Sequence, residues 1–214
     1  MSLTFNGWET LGEGKRRLKP GQAPKRGQGY TMFHGTHKSN ANAIITSGFK
    51  PSAGGTLGPG VYCSRDINKA MGYPASCPSN DRVVFRLLVR VGKVKKIDGQ
   101  SMSLLRTWHQ NGYDTAWLPP STPGGPEEDC VWDPKRLTVV GIEHCTDTTA
   151  KNELEKLIKK QRKGVTASAT PRQGECKTCG KYAQPQSAHV LENCWGCGTL
   201  ICPFMDKHVC RSKK

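Results

Sequence analysis

The fold is decided between residues 34 and 66, where the chain reads HGTHKSNANAIITSGFKPSAGGTLGPGVYCSRD. Short strands are predicted at Tyr30–His34 and Val61–Ser64, on either side of a loop over 49–60 that is rich in Gly and Pro. The glycines match neither a P-loop nor a dinucleotide-binding fingerprint, since no Gly-Lys-Ser/Thr closes the run and no long helix follows. The pattern therefore predicts that His34 and Tyr62 lie on two strands that flank an irregular loop.

The surrounding sequence predicts an α+β domain of mainly antiparallel strands. Apolar residues recur at helical spacing over Asn40–Ser47, and Gly48 follows them as a C-cap. Asp66 is a candidate N-cap for a short helix that ends near Tyr73. The long helices that a doubly wound sheet needs are missing from the pattern. The other predicted elements are strands at Arg82–Val91, Lys93–Ile97, Cys130–Trp132 and Leu137–His144, and helices at Leu104–Asn111 and Thr149–Lys163.

Composition divides the chain into five segments. Gly, Pro and basic residues dominate residues 1–29, which predicts a mostly flexible N-terminal segment. The α+β domain is expected over 30–147 and is followed by a basic helix over 148–164. A linker over 165–173 leads to a module over 174–214 that is rich in Cys and His.

Charge is distributed unevenly along the chain. The net charge at pH 7 is +15, of which residues 31–149 carry only +3. The basic excess on the flanks predicts weak, nonspecific binding to nucleic acid, although solubilising tails have the same composition. No apolar run approaches the roughly 20 residues of a membrane span, so no membrane partner is expected. The start of the chain lacks the apolar core of a secretory signal, and we expect a monomer in the cytoplasm, the nucleus or both.

Six of the ten cysteines lie beyond residue 175, in two Cys-x-x-Cys pairs and two further positions. Such pairs are typical of zinc sites, and the missing secretory signal argues against disulfides. The tail loosely resembles AN1-type zinc fingers, except that Met205 stands where their middle His is expected. A tetrahedral zinc site has four ligands. Seven candidate ligands are too many for one site, and an eighth would complete two sites, so one or two Zn²⁺ ions are expected. The predicted ligands are Cys176, Cys179, Cys194, Cys197, Cys202, His208, Cys210 and, as the eighth, His189.

Residues 30–145 resemble the catalytic domain of PARP-type ADP-ribosyltransferases of the diphtheria-toxin-like class, which carry a His-Tyr-Glu triad on three strands. His34 stands in a His-Gly-Thr strand, Tyr62 stands in a Gly-Val-Tyr strand, and Tyr73 follows eleven residues later. The run EEDCVWDP over 127–134 matches the third strand, in a register that puts Glu128 at the catalytic position.

A closer resemblance links the chain to one family of virus-induced proteins. The stretches GFKPSAGGTLGPGVYCSRD, RVGKVKKID, HQNGYDTAW and CVWDPKR are similar to the fish proteins called grass carp reovirus-induced gene 2. This likeness spans somewhat over half of the chain and implies a role in antiviral defence.

The resemblance to PARP-type enzymes implies both a fold and an activity. The implied fold is two packed, mainly antiparallel sheets with small helices. The implied activity is that of an NAD⁺ ADP-ribosyltransferase of the EC 2.4.2 type, with a protein or a nucleic acid as acceptor. The implied catalytic residues are His34, Tyr62 and Glu128, and the implied NAD⁺-binding residues are His34, Gly35, Thr36, Tyr62 and Tyr73.

These residue types suit the chemistry that the resemblance implies. Two tyrosine faces, at Tyr62 and Tyr73, can sandwich a nicotinamide ring, and a glycine at Gly35 lets the backbone approach its carboxamide. Cleavage of the nicotinamide–ribose bond creates positive charge, which the carboxylate of Glu128 would stabilise. The neighbouring Glu127 is expected to point away from the site.

One departure from the family pattern leaves an alternative open. The serine that binds the carboxamide in the family is Ala70 here, which removes one hydrogen bond of about 1 kcal/mol. The alternative is a catalytically weak domain that recruits nucleic acid or protein partners through the zinc module and the basic flanks. An RNA 2′-phosphotransferase also shares the fold and an early His-Gly-Thr, but the pair Tyr62 and Glu128 argues against it. The small size of the chain favours transfer of single ADP-ribose units.

Overall fold

The computed structural model of the chain describes residues 3–5, 17–26, 29–120, 127–166, 174–183, 192–193, 200–201 and 208–210. The chain divides into two compact units, a larger one over Glu13–Ile158 and a smaller one that combines Met1–Gly12 with Lys159–Lys214. The strands are β1 Leu3–Phe5, β2 Gly29–His37, β3 Val61–Cys63, β4 Arg82–Arg90, β5 Val94–Lys96, β6 Thr115–Leu118, β7 Glu128–Val131, β8 Leu137–Cys145, β9 Gly174–Glu175, β10 Tyr182–Ala183, β11 Glu192–Asn193, β12 Leu200–Ile201 and β13 His208–Cys210. The α-helices are α1 Lys38–Ser47, α2 Ile67–Met71 and α3 Thr148–Thr166, and 3₁₀ turns lie at Ser79–Asp81, Met102–Leu104 and Pro134–Arg136.

Two sheets build the larger unit, as the resemblance implied. The first has the strand order β2-β4-β8 and is antiparallel throughout. The second has the order β3-β7-β6-β5 and is antiparallel except for the parallel pair of β5 and β6. The predicted α+β class with mainly antiparallel strands is therefore confirmed.

Strand β4 shows why the sheets could be predicted from sequence. Every second residue is completely buried on one face, whereas the other face carries three arginines together with Val84 and Leu88. The buried face consists of Val83, Phe85, Leu87 and Val89, and the arginines are Arg82, Arg86 and Arg90.

The core of the larger unit consists of two main apolar clusters. Buried side chains of β2, β3, β4, β7 and β8 form one cluster, to which α1 contributes Ala41 and α3 contributes Leu154 and Ile158. The second cluster lies on the opposite face of the β3-β7-β6 sheet and contains Trp108 and Cys130. Cys63, Cys77 and Cys130 are buried free thiols and Cys145 is a partly buried one.

The two sheets are joined at the edge strands β2 and β3. Phe33 and Ser64 exchange two backbone hydrogen bonds, with N···O distances of 2.7 and 2.8 Å. This bridge is antiparallel, so the pairing would continue from Phe33 and Ser64 towards Gly35 and Tyr62. It therefore determines which side chains of β2 meet those of β3.

Residues 17–26 differ from the prediction of a mostly flexible N-terminal segment. Leu18 is buried in the main core, and Pro24 is also buried. Backbone carbonyls of Lys19 and Gln22 accept hydrogen bonds from the guanidinium of Arg65, at 3.2 and 2.7 Å. The prediction failed here because a single apolar residue and backbone carbonyls fix this segment, and neither produces a periodic pattern.

A buried ion-pair network holds this segment to the second sheet. Arg65, with 4% of its side chain exposed, makes a bidentate pair with Asp129, which is 1% exposed, at 2.9 and 3.0 Å. Its Nη1 lies 2.8 Å from Glu127 Oε1, and its guanidinium packs 5.4 Å from the ring centroid of Trp117. Burial raises the pKa of Asp129 to about 6, although Arg65 acts in the opposite direction.

Two helix ends and one helix were predicted correctly. Gly48 ends α1 with a φ of +88°, and the side chain of Asp66 accepts a hydrogen bond from Asn68 N at 2.9 Å. Helix α3 covers Thr148–Thr166, close to the predicted Thr149–Lys163.

The region after β5 was predicted less well. The helix predicted at Leu104–Asn111 is wrong, because the chain forms a 3₁₀ turn at Met102–Leu104 and further turns. The indole of Trp108 is completely buried and donates to Leu57 O at 2.6 Å, and this tertiary anchor outweighs local helix propensity. Strand β6, which is only four residues long, was missed. Strand β7 begins at Glu128 and not at Cys130, because Leu118 and Trp117 of β6 extend the pairing.

The smaller unit contains three short antiparallel strand pairs in its described residues. They are β1 with β13, β9 with β10 and β11 with β12. The first of these pairs joins residues from the two ends of the chain. Among the described residues, no helix combines the length and the apolar character that crossing a bilayer requires.

Replacement of Arg65 tests the buried ion-pair network. We expect Arg65→Met to lower the free energy of unfolding by about 3–5 kcal/mol, because Glu127 and Asp129 would be left as buried, uncompensated carboxylates. The loss should be smaller at pH 5 than at pH 8. A carboxyl whose pKa is raised on folding takes up a proton in the native state. The free energy of unfolding therefore falls as the pH rises through the range between the unfolded and the folded pKa. Denaturant unfolding of both chains at the two pH values measures this.

The exposed ion pair of Lys96 and Asp98 provides the control. Its N···O distance is 3.2 Å, but the two side chains are 54% and 37% exposed. Lys96→Met should therefore cost at most about 1 kcal/mol. Equal losses in the two variants would contradict a structural role for the network.

Candidate active site

Tyr62 is held at the centre of the candidate site by the loop that precedes it. Its hydroxyl donates to Gly58 O at 2.7 Å and accepts from Leu57 N at 2.9 Å. Its ring lies against Gly55, where a Cβ would overlap the ring atoms. Burial raises the pKa of Tyr62 above its ordinary value, so the phenol is neutral at physiological pH. The glycine-rich sequence of the loop is therefore needed to wrap the backbone around this ring.

His34 contacts Tyr62 through the backbone of β3. Its Nδ1 lies 2.8 Å from Tyr62 O, and its ring packs edge-on against Phe49 at a centroid distance of 5.0 Å. Burial lowers the pKa of His34 below 6.5, although the hydrogen bond to Tyr62 acts in the opposite direction. A carbonyl can only accept, so Nδ1 carries the proton of the neutral ring and Nε2 is left as an acceptor.

Gly35 presents backbone groups at the edge of β2. Phe33 directs its amide and carbonyl towards β3, and strand alternation directs those of Gly35, two residues on, to the same edge. In the described part of the chain no hydrogen bond from β3 reaches them, because β2 and β3 separate beyond the Phe33–Ser64 bridge. The result is a slot opposite Tyr62 in which no other described residue outside β4 bonds to the amide and the carbonyl of Gly35.

The segment that contains Ala70 and Tyr73 closes over Gly35. A Cβ at position 35 would collide with the carbonyl oxygens of both residues, so only glycine fits. Tyr73 itself is 51% exposed, whereas Ala70 is buried against Phe33 and Val84. The second tyrosine of the predicted clamp thus has its backbone beside Gly35 and its ring accessible to solvent.

Glu128 begins β7 on the same face of the sheet as Tyr62. Tyr62 pairs with Cys130, and Glu128 lies two residues before Cys130. One carboxylate oxygen, Oε1, is 3.6 Å from Lys69 Nζ. The other, Oε2, is buried and has no hydrogen-bond partner among the described residues. Because a buried acceptor without a donor is costly, this oxygen is suited to bind a hydrogen-bond donor that the described residues do not supply.

Glu127 and Glu128 lie on opposite faces of the sheet, as the sequence register predicted. Glu127 does not point into solvent, however. Its Oε1 accepts from Trp117 Nε1 at 2.8 Å, and both carboxylate oxygens lie 3.2 Å from Gly21 N. Together with its ion pair to Arg65, these contacts make Glu127 a structural residue, so it cannot serve as a neutral control for Glu128.

The predicted site residues of β2, β3 and β7 are thus close together, and the structure adds one that the sequence did not reveal. Thr36 is buried and lies on the His34 face of β2.

The residue that was missed is Lys69, whose Nζ donates to Glu127 O at 2.6 Å and reaches Glu128. Lys69 lies in α2, one residue before Ala70, and the sequence does not indicate its contact with Glu128 unless α2 is known to face β7.

Half of the eight predicted zinc ligands lie outside the described residues. His189, Cys194, Cys197 and Cys202 are not described, and His208 and Cys210 are described only as part of β13. Cys176 and Cys179 lie in the turn between β9 and β10, where Gly180, at a φ of +69°, donates its amide to Cys176 O at 2.7 Å. In the described part of the chain, no three potential ligands are close enough together to hold a metal.

Comparison with known proteins assigns the family. The family model for the poly(ADP-ribose) polymerase catalytic domain matches residues 15–123, just over half of the chain, and the chain belongs to this family. No curated protein matches the chain. Family membership implies NAD⁺ as the substrate and ADP-ribosyl transfer as the class of reaction. The matched range includes His34, Tyr62 and Tyr73 and ends before Glu128.

Gly35 gives the first test of this site. Gly35→Ala should lower the free energy of unfolding by about 1–3 kcal/mol and weaken NAD⁺ binding, because the new methyl group must push away the Ala70–Tyr73 backbone. Calorimetric NAD⁺ titration and denaturant unfolding measure the two effects. Gly99→Ala is the control, since a Cβ there meets nothing within 4 Å. Normal NAD⁺ binding by a folded Gly35→Ala chain would contradict the proposed slot.

The tautomer of His34 predicts how NAD⁺ affinity depends on pH. Above pH 6.5 the affinity should be constant, because Nε2 is an unprotonated acceptor. At lower pH it should fall by up to about tenfold per pH unit, with a midpoint below 6.5, because protonation of Nε2 removes the acceptor. Titrations between pH 5 and 8 test this. His34→Gln should bind weakly without this step, and His144→Gln should keep it. If His34→Gln keeps the step, another group is responsible.

Proposed function

We propose that the larger unit is an ADP-ribosyltransferase that uses Glu128 to cleave NAD⁺ and to transfer single ADP-ribose units to an acceptor. The observation that carries this proposal is the buried Oε2 of Glu128, which has no hydrogen-bond partner among the described residues and lies on the same face as Tyr62. An ionised carboxylate accepts hydrogen bonds only, so it suits the hydroxyl of the ribose next to nicotinamide. Family membership indicates the class of reaction, and the position of this oxygen indicates that Glu128 is the catalytic carboxylate.

In the proposed complex the nicotinamide occupies the slot between β2 and β3. The amide and carbonyl of Gly35 suit its carboxamide, which has one acceptor and one donor group. Tyr62 forms one wall, fixed by its hydroxyl bonds to Leu57 and Gly58, and the exposed ring of Tyr73 closes on the other side. His34 Nε2, as an acceptor, suits a ribose hydroxyl. Thr36 lies two residues further along the same face and would contact the rest of the donor.

The proposed reaction breaks the bond between the nicotinamide nitrogen and ribose C1′. The electron pair leaves with nicotinamide, and positive charge spreads over C1′ and the ring oxygen. Glu128 stabilises this charge from a site with little water, where a fixed carboxylate acts strongly. The acceptor's nucleophilic atom then bonds to C1′ and releases its proton. Lys69 Nζ, 3.6 Å from Glu128 Oε1, holds the carboxylate in position.

Ala70 weakens this site without removing it. Without the serine hydroxyl, the carboxamide has only the two backbone groups of Gly35 to bond to. We therefore expect weaker binding of NAD⁺ by about 1 kcal/mol relative to a serine in that position. The same departure is the reason to retain the alternative of a binding domain with weak catalysis, and the experiment below distinguishes the two.

Replacement of Glu128 tests the proposed reaction. Glu128→Gln keeps the volume but removes the charge, so transfer from labelled NAD⁺ should slow by about 100- to 1000-fold while NAD⁺ affinity changes little. Tyr62→Ala should mainly weaken NAD⁺ binding. Glu153→Gln, on the exposed surface of α3, is the matched control and should keep full activity.

The labelled product also identifies the acceptor. Samples of the product are digested separately with protease and with nuclease, and only one of the two enzymes should release the label. The released label should be on single ADP-ribose units. If the unmodified chain binds NAD⁺ but neither transfers nor hydrolyses it, the binding-domain alternative is correct and the proposed function is wrong.

We further propose that residues 174–214 bind one or two Zn²⁺ ions. The turn between β9 and β10 supports this, because it places a Cys-x-x-Cys pair at a tight bend closed by Gly180. Cys176 and Cys179 would hold one ion as thiolates, and the later Cys and His residues would complete the ligand sets. A module of about 40 residues has little core, so the metal would supply much of its folding energy.

Metal content tests the zinc proposal. Purified chain should contain one or two zinc ions, and chelation should unfold residues 174–214 while the larger unit stays folded. Metal analysis and protease sensitivity of the two units measure these effects. Cys176→Ser should lower the zinc content, whereas Cys77→Ser, in the larger unit, should not. A metal-free chain with a protease-resistant C-terminal module would contradict the proposal.

A further inference from the structure

A cluster of aromatic and basic side chains lies at the end of the second sheet that is remote from Glu128. We call it the aromatic–basic patch, and it consists of Lys93, Lys95, His109, Tyr113 and Trp132. Val94, Thr115 and Val131 are aligned across β5, β6 and β7, so the residues just outside them meet at one edge. Trp132 follows Glu128 by four strand positions, or about 13 Å at 3.3 Å per residue. The patch is therefore separate from the candidate active site.

A stacked pair of rings forms the aromatic part of the patch. Trp132 and His109 are parallel to within 9°, with centroids 3.7 Å apart. Trp108 packs edge-on against Trp132 at 6.5 Å and is itself completely buried, so the stack rests on the core. Nevertheless 42% of Trp132 is exposed. A tryptophan that is held flat and left accessible offers a ready surface for another planar group.

Lysines supply the charge of the patch. The Nζ atoms of Lys93 and Lys95 lie 4.4 and 5.6 Å from the ring centroid of Tyr113. Within the described part of the chain neither lysine forms an ion pair. Two carboxylates nearby are already engaged. Asp114 accepts from Arg136 at 2.6 Å and from Lys93 N at 2.7 Å, and Asp133 accepts from Lys135 N at 2.9 Å.

A second observation points to a missing partner at the stack. Nδ1 of His109 is buried and has no hydrogen-bond partner among the described residues. The ring that supports Trp132 therefore retains a polar atom that the described chain does not satisfy. Such an atom is unusual in a folded protein and indicates a ligand or a bound water next to the stack.

We propose that the aromatic–basic patch binds single-stranded nucleic acid. One base stacks on the exposed part of Trp132, and the adjoining phosphates lie near Lys93 and Lys95. Every base has a flat π surface, so stacking on an aromatic ring combined with flanking cations is the usual means of holding a single strand without reading its sequence. An acidic peptide would use the lysines but would gain nothing from the stacked rings. Paired bases in a duplex cannot reach Trp132, because they stack on one another.

The experiment uses the complete chain and labelled 12-nucleotide strands of uridine and of thymidine. Trp132→Ala should weaken binding by about tenfold, because stacking on one aromatic ring is lost. Trp132→Phe keeps a ring and should stay within about threefold of the unmodified chain. Circular dichroism shows whether each variant is folded. When both variants are folded, a difference in binding between Trp132→Phe and Trp132→Ala reports the loss of the aromatic ring.

Charge reversal separates the patch from the basic flanks. Lys93→Glu with Lys95→Glu should weaken binding by at least tenfold and reduce the salt dependence, because fewer counterions are released. Lys159→Glu with Lys160→Glu, on the exposed surface of α3, makes the same change in net charge elsewhere and should have a smaller effect.

Two results with the nucleic-acid strands would overturn the proposal. One is that Trp132→Ala binds the strands as well as the unmodified chain does. The other is that the α3 reversal weakens binding as much as the patch reversal does, which would assign binding to net charge alone. Binding of a poly-glutamate peptide is measured as a comparison. If it binds in a way that depends on Trp132 and the nucleic acids do not, the occupant is an acidic protein segment and the proposal is wrong.

Discussion

Two backbone hydrogen bonds, between Phe33 and Ser64, join β2 to β3 and thereby connect the two sheets. Because the bridge is antiparallel, it brings His34 against the carbonyl of Tyr62 and points the amide and carbonyl of Gly35 at the same strand. The strands separate just beyond the bridge, and that separation creates the slot. A different register would turn these groups away from one another, since neighbouring residues of a strand point in opposite directions. The geometry of the candidate site thus follows from one point of strand pairing.

Strand β7 gives consecutive acidic residues opposite roles. Glu127 and Asp129 face Arg65, which pairs with both and also holds the backbone of residues 19 and 22. Glu128 faces the slot, where Lys69 is 3.6 Å away and one oxygen has no partner among the described residues. The structural carboxylates are thus fully bonded, whereas the proposed catalytic one is not. This difference follows from strand alternation alone, because all three residues carry the same kind of group.

Much of this could be predicted from the sequence, where the physical signal is local. The strand at β4, the cap at Asp66 and the glycine at 48 depend on neighbouring residues, and all three were predicted correctly. The failures depend on contacts distant in sequence. Trp108 bonds to Leu57 and prevents the helix predicted over Leu104–Asn111, and Arg65 orders a segment whose composition is typical of disorder. For the same reason Lys69 was missed, since its importance depends on which strand α2 covers.

In the proposed complex the slot between β2 and β3 binds nicotinamide, and Glu128 Oε2 accepts a hydrogen bond from a ribose hydroxyl. A crystal structure of the complete chain with a non-hydrolysable NAD⁺ analogue tests it most directly. We expect the carboxamide on the amide and carbonyl of Gly35, the ring between Tyr62 and Tyr73, and a hydroxyl within about 2.6–3.0 Å of Oε2. An analogue bound elsewhere, or bound in the slot with Glu128 turned away and Glu127 in its place, would contradict the proposed complex.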